Sequence, residues 1–250
     1  MILVQQGYRS SDPVRQAELD HARALNRSVA CLRDIVDLDG ELRRWTYADV
    51  FALVSERYPG QTIVLSNSDI SFDESLEAVA GVIAPGVLVA LTRWDDATAP
   101  SMEGRVDPAT WKFYSQSQDT WIFVAAGLPP FTADFRLGVP RCENRLAYEA
   151  AAAGVVVIDP ALAVRSAHHH ASNVRSWKRG DHYRGGLLFP RLTTLESRPA
   201  EALVAGGTWR RTVRHVVLDG CASSFASQLS RPVARRGSRL GWRSPIYWRG

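Results

Sequence analysis

An α/β protein with a largely parallel sheet is the fold class this sequence predicts, and three observations carry it. Short apolar runs alternate with helical periodicities at a regular pace, as in strand–helix–strand units. The 250 residues are 46% hydrophobic and 22% charged, enough to bury one large core. Polar residues crowd the points where the apolar runs stop, and ligands of open α/β sheets bind beyond the carboxyl ends of strands.

In chain order, residues 2–5 read as a short buried strand. A helix over 12–25 follows, with Ala17, Leu19, Ala22 and Leu25 on one flank. Asp12-Pro13 suits its start, because Asp caps free amides and Pro at the first helical position loses no hydrogen bond. Residues 29–35 are expected to form a second strand. Tyr47, Val50, Phe51, Val54 and Tyr58 repeat at helical spacing, and Pro59-Gly60 ends that helix before a strand over 62–65. A helix over 74–82 and a strand over 87–91 come next. Between 95 and 135 the pattern is irregular, with Pro100, Pro108, Pro129 and Pro130 among aromatic residues, and predicts loops with short antiparallel pieces. Order returns with an alanine-rich helix over 143–153 stopped by Gly154, then a strand over 155–158 and the turn Asp159-Pro160. No internal repeat is visible.

Composition narrows the setting. The opening Met1-Ile2-Leu3-Val4 lacks the basic start and long apolar core of a secretory signal. The longest apolar stretch, 78–91, is broken by Gly81, Pro85 and Gly86 and falls short of a membrane span. Cys31, Cys142 and Cys221 are far apart and form neither a disulfide framework nor a zinc knuckle. A soluble, cytoplasmic protein without a membrane span is expected. The net charge is +4, and the excess gathers late. From Trp209 onward, Arg210, Arg211, Arg214, Arg231, Arg235, Arg236, Arg239, Arg243 and Arg249 face one acid, Asp219. Residues 201–250 therefore read as a basic extension, either suited to a polyanion or simply a solvated, partly flexible end, and 1–200 as the α/β domain.

Three clusters could carry chemistry. In Asn67-Ser68-Asp69 after the strand at 62–65, Asp69 is placed to hold a hard divalent cation, with Asn67 supplying an amide or orienting a ribose. The plain alternative is an Asx-turn that caps the helix near Asp73. In His168-His169-His170, side chains of an extended chain alternate, so His168 and His170 share a face and His169 points away. Two imidazoles can complete a shell begun by a carboxylate, or can simply be solvated in a polar loop. Glu143 and Asn144 stand at a helix start, where a carboxylate is electrostatically favoured and serves as a general base or only as a cap. Beside them, Asp119 with Trp121 and Arg93 with Trp94 and Asp95 offer charge next to an aromatic face, as a sugar platform does or as half-buried packing.

Taken in chain order, these segments resemble a bacterial and viral branch of the GT-A-type nucleotide-sugar glycosyltransferases. The branch pattern N-x-D-I-x-F-D, A-L-x-R-W, Q-D-x-W-I-F, D-F-x-L-G, C-D/E-N-R and H-x-H-x-S starts here at Asn67, Ala90, Gln118, Asp134, Cys142 and His168. The resemblance covers roughly residues 2–190.

It implies a GT-A-like, Rossmann-type single domain with a mixed, mostly parallel central sheet. It also implies a metal-dependent transfer of sugar from a nucleoside-diphosphate sugar, such as a UDP-sugar, to an acceptor hydroxyl. Asp69 becomes the metal carboxylate, with His168 or His170 adding a ligand and Mn2+ or Mg2+ as the cation. Arg15, Asn67, Asp69 and Arg93 fall to the donor, with Arg15 pairing with phosphate or ordering Asp69. Glu143 is the general base with Asp119 as substitute, and Trp94, Trp121, Asn144 and Arg145 fall to the acceptor. Asn67 and Asn144 stand where the family often carries Asp, which leaves a metal bond from Asn67 and the base at Glu143 open.

A hydroxylated base in DNA is one acceptor that would join the core to the basic tail. Two rivals stand beside this reading. One is a non-catalytic nucleic-acid-binding protein using the Arg-rich tail with Trp209, Trp242, Tyr247 and Trp248. The other is a metal-dependent phosphodiester hydrolase using Asp69, Asp73 and the histidines.

Overall fold

The computed structural model describes residues 1–40, 44–95, 100–101 and 117–172, and beyond these 174, 182–183, 186–188, 190 and 194–195. The basic extension after residue 200 lies outside the described residues.

A six-stranded sheet forms the centre, in the order β2-β1-β3-β6-β5-β7. Its strands are β1 (Ile2–Gly7), β2 (Asp34–Asp39), β3 (Thr62–Ser66), β5 (Val87–Thr92), β6 (Gln118–Val124) and β7 (Val156–Ile158). β1 pairs in parallel with β2 and β3, as β5 does with β7, while β6 runs antiparallel between β3 and β5. The chain is thus α/β with a mixed, mostly parallel sheet. α1 (Pro13–Ser28) connects β1 to β2, and α2 (Tyr47–Arg57) carries the chain back past β1 to β3. Strand order therefore reverses between β1 and β3, leaving a crevice at their carboxyl ends.

Local chemistry explains these elements. Asp12 caps α1 by accepting from the Arg15 amide at 2.8 Å. Thr46 and Asp49 close a reciprocal capping box on α2. Buried Tyr47 of α2 meets Trp121 of β6 edge-to-face at 5.1 Å, and Phe51 meets Phe123 at 5.0 Å. Alternate residues of β6 thus carry the aromatic layer that seats α2.

Several elements differ from the sequence expectation, three of them in or beside the central sheet. The second strand is β2 at Asp34–Asp39, five residues after the expected start. Val29 and Leu32 are instead buried in the turns that leave α1. β2 is an edge strand whose Asp34, Asp37 and Asp39 break up its apolar signal, as edge strands do to avoid pairing with other chains. The helix after Asp73 is 3-10, Glu74–Gly81. The irregular middle contains β6, a full central strand, because 118–124 pairs on both sides with distant segments that local periodicity cannot register.

A second, two-stranded sheet positions the site. β4 (Ile70–Phe72) pairs antiparallel with β8 (Ser166–His168), with Ile70 opposite His168 and Phe72 opposite Ser166. β8 is also stitched to the residues after β5, since the Trp94 amide donates to the Ser166 carbonyl and the His168 amide to the Trp94 carbonyl. No helix among the described residues is long and apolar enough to cross a membrane.

Candidate metal centre

Tight turns place Asp69. The Ile70 amide closes a turn onto the Asn67 carbonyl at 3.2 Å, and the His169 amide donates to the Asp69 carbonyl at 2.9 Å. This locks the loop after β3 against the end of β8. Capping falls to Asp73, which accepts from the Ser75 amide at 3.0 Å, leaving the Asp69 carboxylate for another use.

That carboxylate is buried, and Arg15 Nη2 reaches its Oδ2 at 2.6 Å. The same oxygen lies 3.4 Å from His168 Nε2 and 3.6 Å from His170 Nδ1. Burial works against the charge of Asp69, yet His168 and Arg15 hold its carboxyl well below the usual range.

The far nitrogen of each ring decides what the near one presents. His168 Nδ1 lies 2.9 Å from Asp95 Oδ1, and His170 Nε2 lies 2.9 Å from the Val174 carbonyl. Carboxylate and carbonyl oxygens only accept, so these nitrogens carry the protons. A neutral ring then turns a bare lone pair toward an anionic oxygen, an arrangement that needs positive charge in the space between them. A second proton on a ring supplies it, and so does a metal ion.

The donor set fits a metal. One nitrogen from each histidine and one Asp69 oxygen all lie within 4.8 Å of one another. Ligand atoms each ~2.1 Å from one cation sit roughly 3.0–3.4 Å apart, close to the 3.4 and 3.6 Å that separate Asp69 Oδ2 from the two ring nitrogens. Oxygen partners on the far nitrogens also orient metal-bound histidines in known sites. Burial opposes the charge on His168, but Asp69 and Asp119 raise its proton affinity. Burial and then Arg15 lower that of His170, which favours its neutral, ligating form.

A chain of alternating charges leads away from the triad. Asp95 accepts from Arg93 Nε at 2.8 Å, Arg93 Nη1 reaches Asp119 Oδ2 at 3.1 Å, and Asn67 Nδ2 donates to Asp119 Oδ1 at 2.8 Å. Because β6 runs antiparallel, its first residues lie at the carboxyl ends of β3 and β5. This is how Asp119 joins Asn67 and Arg93. Glu143, half-buried in the first turn of α3 (Cys142–Ala152), is pushed up to about 7 by burial and then by the nearby charge of Asp119. Asp119 thus acts on His168 from one side and on Glu143 from the other.

The structure therefore gathers Arg15, Asn67, Asp69, Arg93, Asp119, Glu143, His168 and His170 around one end of the sheet. His169 turns away, meeting Ser71 Oγ at 2.8 Å and the His21 ring edge-on. Arg15 is 4% exposed and donates to Tyr8, Glu18, Asp69 and the His169 carbonyl. Of its two expected roles, ordering Asp69 is the one this geometry serves.

Two acceptor expectations need correction. Trp121 is 1% exposed beneath α2, so its ring offers no face to a sugar. Asn144 is 2% exposed and donates to Gln118 Oε1 at 2.7 Å, pinning α3 to β6. Arg145 lies over the Tyr148 ring and pairs with Glu149 along α3. Trp94 stays half-buried, its Nε1 held by the Ala161 carbonyl at 3.0 Å.

Sequence reasoning missed Asp95 as a partner of His168, and it missed Glu18. Asp95 stood beside Arg93 and Trp94 in the motif, whereas Glu18 gave no signal beyond a charged position on a helix.

The fold and the site define a class: an α/β protein with a candidate two-histidine, one-carboxylate metal centre. Comparison with known proteins gives no match to a family model, a curated protein or a solved structure.

Proposed function

We propose that this chain is a metal-dependent glycosyltransferase, moving a sugar from a nucleoside-diphosphate sugar to an acceptor hydroxyl. The observation that carries the reading is the Asp69–His168–His170 triad beyond β3, beside the strand-order reversal, with Asp119 acting on His168 and Glu143 next to Asp119. Anionic ligands of open sheets occupy such crevices. The order of motifs from Asn67 to His170 supports the same class.

Asp69, His168 and His170 would hold the cation, whose charge would stabilise the departing diphosphate. Two imidazoles suit Mn2+ better than Mg2+, which prefers oxygen and keeps its waters. Glu143, with a proton affinity near neutrality, accepts the hydroxyl proton as the acceptor oxygen bonds to the anomeric carbon and the bond to the diphosphate breaks. Burial and then the charge of Asp119 keep that affinity high, and Arg93 holds Asp119 in place. A hydroxylated base in DNA is the acceptor that would give the basic extension a role.

Thermal melting against a panel of nucleoside diphosphates and nucleotide-sugars, with and without Mn2+, tests this. A ligand that binds only the folded chain raises the midpoint. A Mn2+-dependent rise with one nucleotide is expected. No rise with any nucleotide, together with Mn2+-dependent cleavage of a phosphodiester, would replace the transferase by the hydrolase.

A further inference from the structure

We propose that Glu18 is a positioning residue of the metal centre, clamping onto α1 the loop that carries His170; this rests on reading Asp69, His168 and His170 as metal ligands.

The three candidate ligands are not equally anchored. His168 is held within β8, and Asp69 directly precedes β4. His170 lies two residues past the end of β8, outside any ladder, so its place depends on what fixes the loop around it.

Both sides of His170 are tied to α1. Before it, the His169 carbonyl accepts from Arg15 Nη1 at 3.0 Å. After it, the Ser172 amide donates to Glu18 Oε1 at 2.7 Å and the Ser172 hydroxyl to Glu18 Oε2 at 2.8 Å. Glu18 Oε2 also accepts from Arg15 Nη1 at 3.0 Å, one helical turn away, and the Glu18 side chain is only 12% exposed. Since Arg15 also grips Asp69, the Arg15–Glu18 pair links a carboxylate ligand and an imidazole ligand that are distant in sequence.

The chemistry calls for a carboxylate. Its two oxygens accept from three donors at once, an amide, a hydroxyl and a guanidinium. A glutamine amide keeps one acceptor oxygen and turns N–H donors toward Arg15. The clamp pre-orders the loop before the cation arrives, so the cation bears less of the ordering entropy.

Titration of the full chain with Co2+ tests this, following its visible absorption bands together with calorimetric affinity. Glu18→Ala should weaken binding about tenfold, the lower end of what outer-sphere partners contribute, and Glu18→Gln should fall between it and the parent. In a His170→Ala background the Glu18→Ala change should have little further effect, because it acts through His170. Should Glu18→Ala fail to fold, Ser172→Ala leaves α1 intact and should weaken binding in the same direction. Parental affinity in the Glu18 variants, or an equal loss with and without His170, would overturn the clamp and leave the metal site standing. Parental chain that binds no Co2+ would overturn the metal reading and the clamp with it.

Discussion

Buried charge at single residues is where this molecule departs most from an ordinary core. Arg15 and Asp69 are both nearly inaccessible, and their charges are tolerable because they pair with each other, with Glu18 adding to Arg15 and His168 to Asp69. Glu143 has the opposite problem, since burial and the charge of Asp119 make its ionised form costly. Its folded proton affinity, about 7, lies above the ordinary 4.5, so the native state keeps a proton that the unfolded chain loses. The stability associated with that proton is fully present below about 4.5 and is lost as pH rises through about 7. Glu143→Gln should therefore match the parent near the acid end of this window and exceed it at pH 8 by about 1–3 kcal/mol. Urea denaturation of both chains at the two pH values checks this, and parallel curves would mean that Glu143 ionises freely.

Among the elements, the small sheet β4–β8 does more for the site than its length suggests, because it sets Asp69 beside the histidines. One edge of β4 pairs with β8, and the other is covered by a side chain. Asn26 of α1 donates Nδ2 to the Ile70 carbonyl at 2.8 Å and accepts from the Phe72 amide at 3.0 Å. Its amide thus takes the place of a neighbouring strand. Asn26→Ala would leave both backbone groups with a lost partner in a buried place, and should cost roughly 2–4 kcal/mol in chemical denaturation. A loss under 1 kcal/mol would show that the strand edge finds other partners. Such a strand is hard to read in advance, because three residues carry no periodicity and the partner that completes the ladder comes from a helix.

For the whole molecule, the carboxyl ends of β1, β3 and β5 and the start of β6 converge on one edge, which gathers groups from many points in the chain. The described part holds a continuous core from Ile2 to Leu188. The basic extension is expected to act apart from that core. A chain cut after Cys221 should keep its melting midpoint and Co2+ affinity while losing salt-dependent binding to DNA. A collapse of the melting transition on truncation would instead make the extension part of the folding unit.

By itself the sequence determined the α/β class, most strand and helix positions before residue 92, and the candidate metal residues. Those features rest on local physics: apolar periodicity, cap chemistry at Asp12, and the alternation that puts His168 and His170 on one side. Only the tertiary structure decided that β6 is central, that Trp121 and Asn144 belong to the interior, and that Asp95 and Glu18 brace the histidines. Each of those outcomes depends on partners far away in the chain. Burial and hydrogen-bond partnership belong to the packed molecule, since the same side chain is a ligand, a brace or a core group according to what tertiary contact places beside it.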